Sequence, residues 1–154
     1  MRFPRVRFAV RMMMAVQTFG LTLIFGCVDS FGPGSLDYSY DVSGSYQVFR
    51  SSSHQVRVVP KGPYESGTAV IPPEVVEIAW DESYILAKQQ PLKRWAPDNG
   101  YEVPVPGRFN YWILDLRRRT AFGPLTREGF QAKGAELGIS RRLELKSVEQ
   151  HRPR

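Results

Sequence analysis

Only one cysteine, Cys27, occurs in the 154 residues of this chain. A lone thiol excludes an internal disulfide framework and any zinc site built on a cysteine pair. Histidine is almost as scarce. His54 and His151 stand far apart, so no His-rich metal centre is expected, and no cofactor is called for. No acid occurs in the first 26 positions. No apolar run reaches the roughly 20 residues that a membrane-spanning helix needs. There is also no tandem repeat, which sets aside propeller and solenoid architectures.

What is present is uneven. The 21 Lys and Arg against 15 Asp and Glu give a formal net charge of +6. Four arginines of that excess (Arg2, Arg5, Arg7 and Arg11) lie in the first 26 residues. Residues 27–116 hold 7 basic and 11 acidic side chains, and residues 117–154 hold 10 basic and 4 acidic. Without its first 26 residues the chain is only +2. Basicity of that kind gives no ground for a nucleic-acid partner. A hydrophobic content of 42% is enough for a folded core.

The basic opening is followed by an uncharged, mostly apolar stretch at residues 12–26. That order is the pattern of a secretory signal peptide. At 15 residues, with Gln17, Thr18 and Thr22 inside it, the stretch is short for a permanent transmembrane helix. It ends in Ile24, Phe25, Gly26 and Cys27, which looks like a bacterial lipobox. The small Gly26 would fit the peptidase pocket beside the cut, and the thiol of Cys27 would carry the lipid. The bland alternative is a buried core cysteine, since free cysteine is among the most buried residue types. Two or three acyl chains at about 0.8 kcal/mol per buried methylene would hold a protein stably on a membrane. The expected location is therefore the outside face of the cell membrane or the outer membrane. Val28, not an acid, follows the cysteine, which favours the outer membrane in a two-membrane envelope.

Three parts are expected: a signal peptide at 1–26, a flexible Gly/Ser/Pro tether at 27–36, and one β-rich domain at 37–150. The fold class is α+β, a small mostly antiparallel sheet domain with one C-terminal helix. Strand patterns occur at residues 45–50, 55–59, 74–80, 84–89, 109–116 and 120–123. In the hairpin at 74–89, Val76, Ile78 and Trp80 should share one face and Val75, Glu77 and Ala79 the other. Asp81 and Glu82 should be solvated turn residues. Residues 109–116 are apolar on both faces, the mark of a strand covered on both sides. Residues 91–107, with four prolines and two glycines, read as one long irregular loop. Trp95, Tyr101, Lys93 and Arg94 in that loop make a candidate partner-binding surface, with packing of Trp95 across the sheet as the alternative.

A helix should follow, with Thr126 as N-cap, Leu125 and Phe130 as a hydrophobic staple and Gly138 at the left-handed C′ position. Gly129 stands where a capping box would hold glutamate. Residues 141–146 alternate and suggest a last edge strand with Leu143 and Leu145 inward. Residues 151–154 read as a frayed tail.

The segments "VVEIAW", "YWILDLRRRTAFGPLTREGF" and "ELGI", with "GC" after the hydrophobic leader and "DYSY" soon after it, resemble an uncharacterised family of small bacterial lipoproteins, domain of unknown function 3997. The resemblance runs from Asp37 to about Lys146. "YWILD" at 111–115 and "GPLT" at 123–126 are its more specific pieces. It implies a lipobox cysteine, here Cys27, and a compact sheet with a C-terminal helix. It implies no activity and no catalytic residue.

The function expected is a lipid-anchored extracytoplasmic binding or interaction module, touching the membrane through Cys27. The alternative is an inhibitor or immunity-type lipoprotein that captures a protein partner. An envelope enzyme is the weaker reading: His54 with a nearby serine, or Asp98 with Glu102, shows no spacing that catalysis requires. His54 reads as a solvated loop residue. The basic end (Arg117, Arg118, Arg119, Arg141, Arg142, Lys146) is either a solvated face or a contact for anionic headgroups or wall polymer.

Overall fold

The computed structural model describes residues 37–152. The expected signal peptide and tether, with Gly26 and Cys27, lie outside the described residues. Three antiparallel strands come first: β1 (Tyr38–Asp41), β2 (Tyr46–Arg50) and β3 (Val56–Pro60) form a meander in that order. A second sheet holds β4 (Val75–Trp80), β5 (Tyr84–Gln89), β8 (Asn110–Asp115), β9 (Thr120–Leu125) and β10 (Lys146–Ser147), in the order β10-β4-β5-β8-β9. Between β5 and β8 the chain makes a two-stranded ribbon of β6 (Leu92–Arg94) and β7 (Glu102–Pro104). The one α-helix among the described residues, α1 (Arg127–Glu136), follows β9, and a 3-10 turn spans Val148–His151. The architecture is thus the mostly antiparallel sheet domain with a helix near its C-terminus that the strand patterns indicate.

The larger sheet is covered on both faces. One face meets the meander across a core that joins Tyr40, Val48 and Val58 to Ile78, Ile85 and Leu114. The other face carries Ala79, Tyr84, Leu86 and Ile113, packed against Phe130, Leu137, Ile139, Leu143 and Leu145. This explains the composition of β5 and β8. A strand with protein on both sides has no solvent face to make polar. In β5, Ile85 and Ala87 point to the first core while Tyr84 and Leu86 point to the second. Their partners Leu114 and Ile113 on β8 divide in the same way.

Several local expectations are corrected. A bulge between Val75 and Glu77 shifts the β4 register, so Val75 joins Ile78 in the first core. An extra residue in one strand turns the preceding side chain to the other face. Residues 91–107 are not wholly irregular, because the ribbon fits its prolines where the ladder needs no donor; Pro104 pairs with Leu92 at the open end of the ribbon. The last strand is two residues long. Turn bonds from Leu143 N to the Ser140 carbonyl and from Arg142 N to Ser140 Oγ break it at residues 140–143. Leu143 and Leu145 nevertheless point inward as expected. His151 is not frayed. Its ring lies 4.6 Å from that of Trp80, centre to centre, and Val148 beside it is buried.

The two segments most specific to the family resemblance are scaffold. Asp115, buried at the end of "YWILD", accepts hydrogen bonds from the backbone of Arg117 and Arg118 at 3.0 and 2.9 Å, closing the β8–β9 turn. In "GPLT", Gly123 lies flat against Trp112, and a Cβ there would overlap the indole ring. Thr126 Oγ1 accepts the Gly129 N–H at 3.1 Å as the helix N-cap. Gly138 takes φ +68°. Its N–H donates to the Ala135 carbonyl and that of Ile139 to the Gly134 carbonyl, the two bonds of a Schellman motif.

Candidate functional site

The ribbon leaves the end of β5 and carries the most exposed aromatic side chain of the described residues. Its tip is closed by Trp95 N donating to the Tyr101 carbonyl at 2.9 Å, with Asn99 Oδ1 accepting the Tyr101 N–H at 3.2 Å. Two of the flanking residues pair in register, Lys93 with Val103 and Arg94 with Glu102. Trp95 is 69% exposed and Tyr101 55%. Trp95 therefore does not pack across the sheet. Lys93 and Arg94 are also exposed, so all four residues singled out in the sequence lie on one small projection.

The projection is not isolated. The turn between β2 and β3, residues 51–55, abuts it. Gln55 Nε2 donates to Glu102 Oε2 at 3.4 Å, and the His54 ring meets Tyr101 edge-on with centroids 6.5 Å apart. Between them lies a cavity of about 250 Å³ lined by Ser52, Ser53, His54, Gln55, Tyr101 and Glu102. His54 is thus a half-buried wall of a cavity, not a solvated loop residue. Asp98 stays exposed at the tip, while Glu102 is engaged with Gln55.

Behind His54 sits a residue that the sequence did not single out. Glu74 begins the edge of the sheet next to β4, its backbone bonded both ways to Gln90. Its Oε2 lies 3.8 Å from His54 Nδ1 and is buried with no hydrogen-bond partner among the described residues. Burial pushes its carboxyl up to about 7; nearby Arg50 opposes the rise and Glu149 adds to it. A buried carboxylate without a partner is disfavoured against its neutral form, which is the cause of the shift. Glu74 and His54 are 20 positions apart, so only the fold brings them together. The available signal was an acid set between Pro73 and the apolar pair Val75 and Val76.

Chemically the tip offers two things. One is an amphipathic surface of Trp, Tyr, Lys and Arg, the residue types that dominate binding hot spots. The other is a buried carboxyl set beside an imidazole, Glu74 Oε2 lying 3.8 Å from His54 Nδ1. Ser52 and Ser53 line the same cavity as His54, but among the described residues no hydrogen bond joins either hydroxyl to the imidazole. No three potential metal ligands cluster among the described residues, and no helix there is long and apolar enough to cross a membrane.

A family model described as Protein of unknown function (DUF3997) matches residues 43–149. That span covers the meander from the β1–β2 turn onward, the whole larger sheet, the ribbon and α1. No curated protein and no solved structure matches the chain.

Proposed function

The chain belongs to the DUF3997 family of proteins of unknown function, so its role must come from its own residues, and we propose that it is a lipid-anchored extracytoplasmic interaction module. The anchor is Cys27, acylated after cleavage at the Gly26–Cys27 bond. The support is the order of basic, apolar and small-residue segments before it. The working surface is the ribbon tip, and the partner is a protein, as in an inhibitor or immunity-type lipoprotein.

The observation that carries this reading is the exposure of Trp95 and Tyr101 together on one projection, flanked by Lys93 and Arg94. Large aromatics bury 150–250 Å² each when covered, at little entropic loss. Leaving two of them in water is unfavourable unless something covers them.

Two measurements test the proposal. Metabolic labelling with a fatty-acid analogue should mark the wild-type chain and not Cys27→Ser; an unlabelled wild type defeats the anchor. A photo-crosslinking residue placed at position 95 or 101 should give a discrete protein adduct in intact cells. The same residue at Tyr64, which is 47% exposed but off the ribbon, should give none. No adduct from either tip position, or an equal one from Tyr64, defeats the partner-binding surface.

A further inference from the structure

A second candidate site lies on the other side of the larger sheet. Helix α1 crosses that face without burying any residue fully. Phe130 and Leu137 reach down to the second core, yet a cavity of about 510 Å³ stays open between helix and sheet. Its floor is Leu86 and Ile113, both buried in the sheet, and its walls include Phe130, Ile139 and Leu143. Folded interiors contain few voids larger than a water molecule. Small-molecule sites, by contrast, run from about 300 to 1,000 Å³ and are mostly apolar with a few polar groups at the edge.

Gly134 indicates that the space is kept, not left over. It lies within the helix, lines the cavity, and an added Cβ there would meet nothing within 4 Å. Its φ is not positive, so no left-handed turn requires glycine, and no neighbour requires it by close approach. Glycine inside a helix still costs about 1 kcal/mol relative to alanine. Alanine would improve the helix, and a larger apolar side chain such as leucine would also occupy the space. The sequence holds neither.

The lining also selects charge. Among the described residues, Arg141 is the one charged residue around this cavity, and no carboxylate lines it. Arg141 is exposed and makes no ion pair among the described residues. A neighbouring cavity of about 430 Å³ shares Phe130, Gln131 and Leu143 but is lined as well by Glu77, Lys88, Arg127 and Glu144, so the space with a single charge is the cavity beside Gly134 alone. A largely apolar cavity with a single cation in its lining is complementary to an apolar ligand with a single anionic end.

We propose that the groove under α1 binds an unbranched aliphatic carboxylate, its chain over Leu86 and Ile113 and its carboxylate paired with Arg141. This assignment is independent of the ribbon tip and of the anchor. The test uses the full chain carrying Cys27→Ser, free of detergent, titrated by calorimetry with decanoate and with decanol. Decanoate should bind saturably, and decanol at least tenfold more weakly, since a charge-assisted bond to Arg is lost. Arg141→Gln should bring decanoate down to the decanol level, while Arg142→Gln, outside this lining, should change nothing. Gly134→Leu should abolish binding of both probes and raise the thermal midpoint. Absence of saturable decanoate binding overturns the proposal. So does decanoate binding that survives Gly134→Leu, or that is indifferent to Arg141→Gln, the latter readable even if the leucine variant fails to fold.

Discussion

Glu74 carries a free-energy penalty that depends on pH. Its carboxyl titrates at about 7 in the folded chain against an ordinary 4.5. Below about pH 4.5 both folded and unfolded chains hold the proton, and no penalty arises. Between the two values the unfolded chain releases it while the folded chain keeps it. Folding stability from this group therefore falls as pH rises through that window, and the loss is complete above about 7. A rise of this size corresponds to a penalty on the order of 3 kcal/mol. Glu74→Gln should be more stable than wild type at about pH 8, with the gap closing toward about pH 4. Urea unfolding of both proteins across that range checks it, and a gap independent of pH would remove the buried carboxyl as its cause. Gly123 shows the opposite relation between residue and sequence. It was visible within "GPLT", but the reason for it, the Trp112 ring against its α-carbon, is a tertiary contact that no local pattern announces.

At the scale of elements, the helix ends were the most legible features. Thr126 and Gly138 act through their own backbone neighbours, within three or four residues, so their chemistry can be read along the chain. Thr126→Ala should cost about 1 kcal/mol. It should also speed hydrogen exchange at the Gly129 amide, which loses its acceptor, more than at any β5 amide. The β4 bulge was illegible because one extra residue changes no composition, only which face each side chain takes. The ribbon was hidden by its prolines, which signal a loop by content and mark a ribbon only by position. The candidate surface divides along the same line. Trp95, Tyr101, Lys93 and Arg94 are near neighbours in sequence and were found. The Glu74–His54 pair is assembled by two separate turns of the chain and was not.

Across the whole molecule, the layers differ in how firmly they are built. The core between the two sheets holds fully buried Val48, Val58, Ile78, Ile85 and Leu114, and it is tied by Tyr40 donating to the Val148 carbonyl at 3.0 Å. The helical layer contributes no fully buried side chain of α1. Local opening should therefore be easiest at the helix and the ribbon and hardest at β5 and β8. This contrast could be anticipated from the apolar runs of β5 and β8 and from the two glycines within α1, though the groove beneath the helix could not.

The order β10-β4-β5-β8-β9 has one more consequence. At one margin of the sheet, β9 is interrupted by Gly123 and Pro124, which disfavours pairing with another chain. At the other margin, β4 is paired among the described residues by two ladder pairs alone, Lys146 with Ile78 and Ser147 with Glu77. The guard against templated aggregation is therefore supplied about 70 residues after the strand it protects. Removing residues 146–154 should uncover the β4 edge together with the Val148 site in the core, and the shortened chain should form strand-rich oligomers in sedimentation and dye-binding assays. A monomeric shortened chain would show that this short clasp is dispensable. During synthesis the same geometry leaves β4 open until residues 146–147 arrive, so self-association is a hazard of the emerging chain that the folded sheet has already closed.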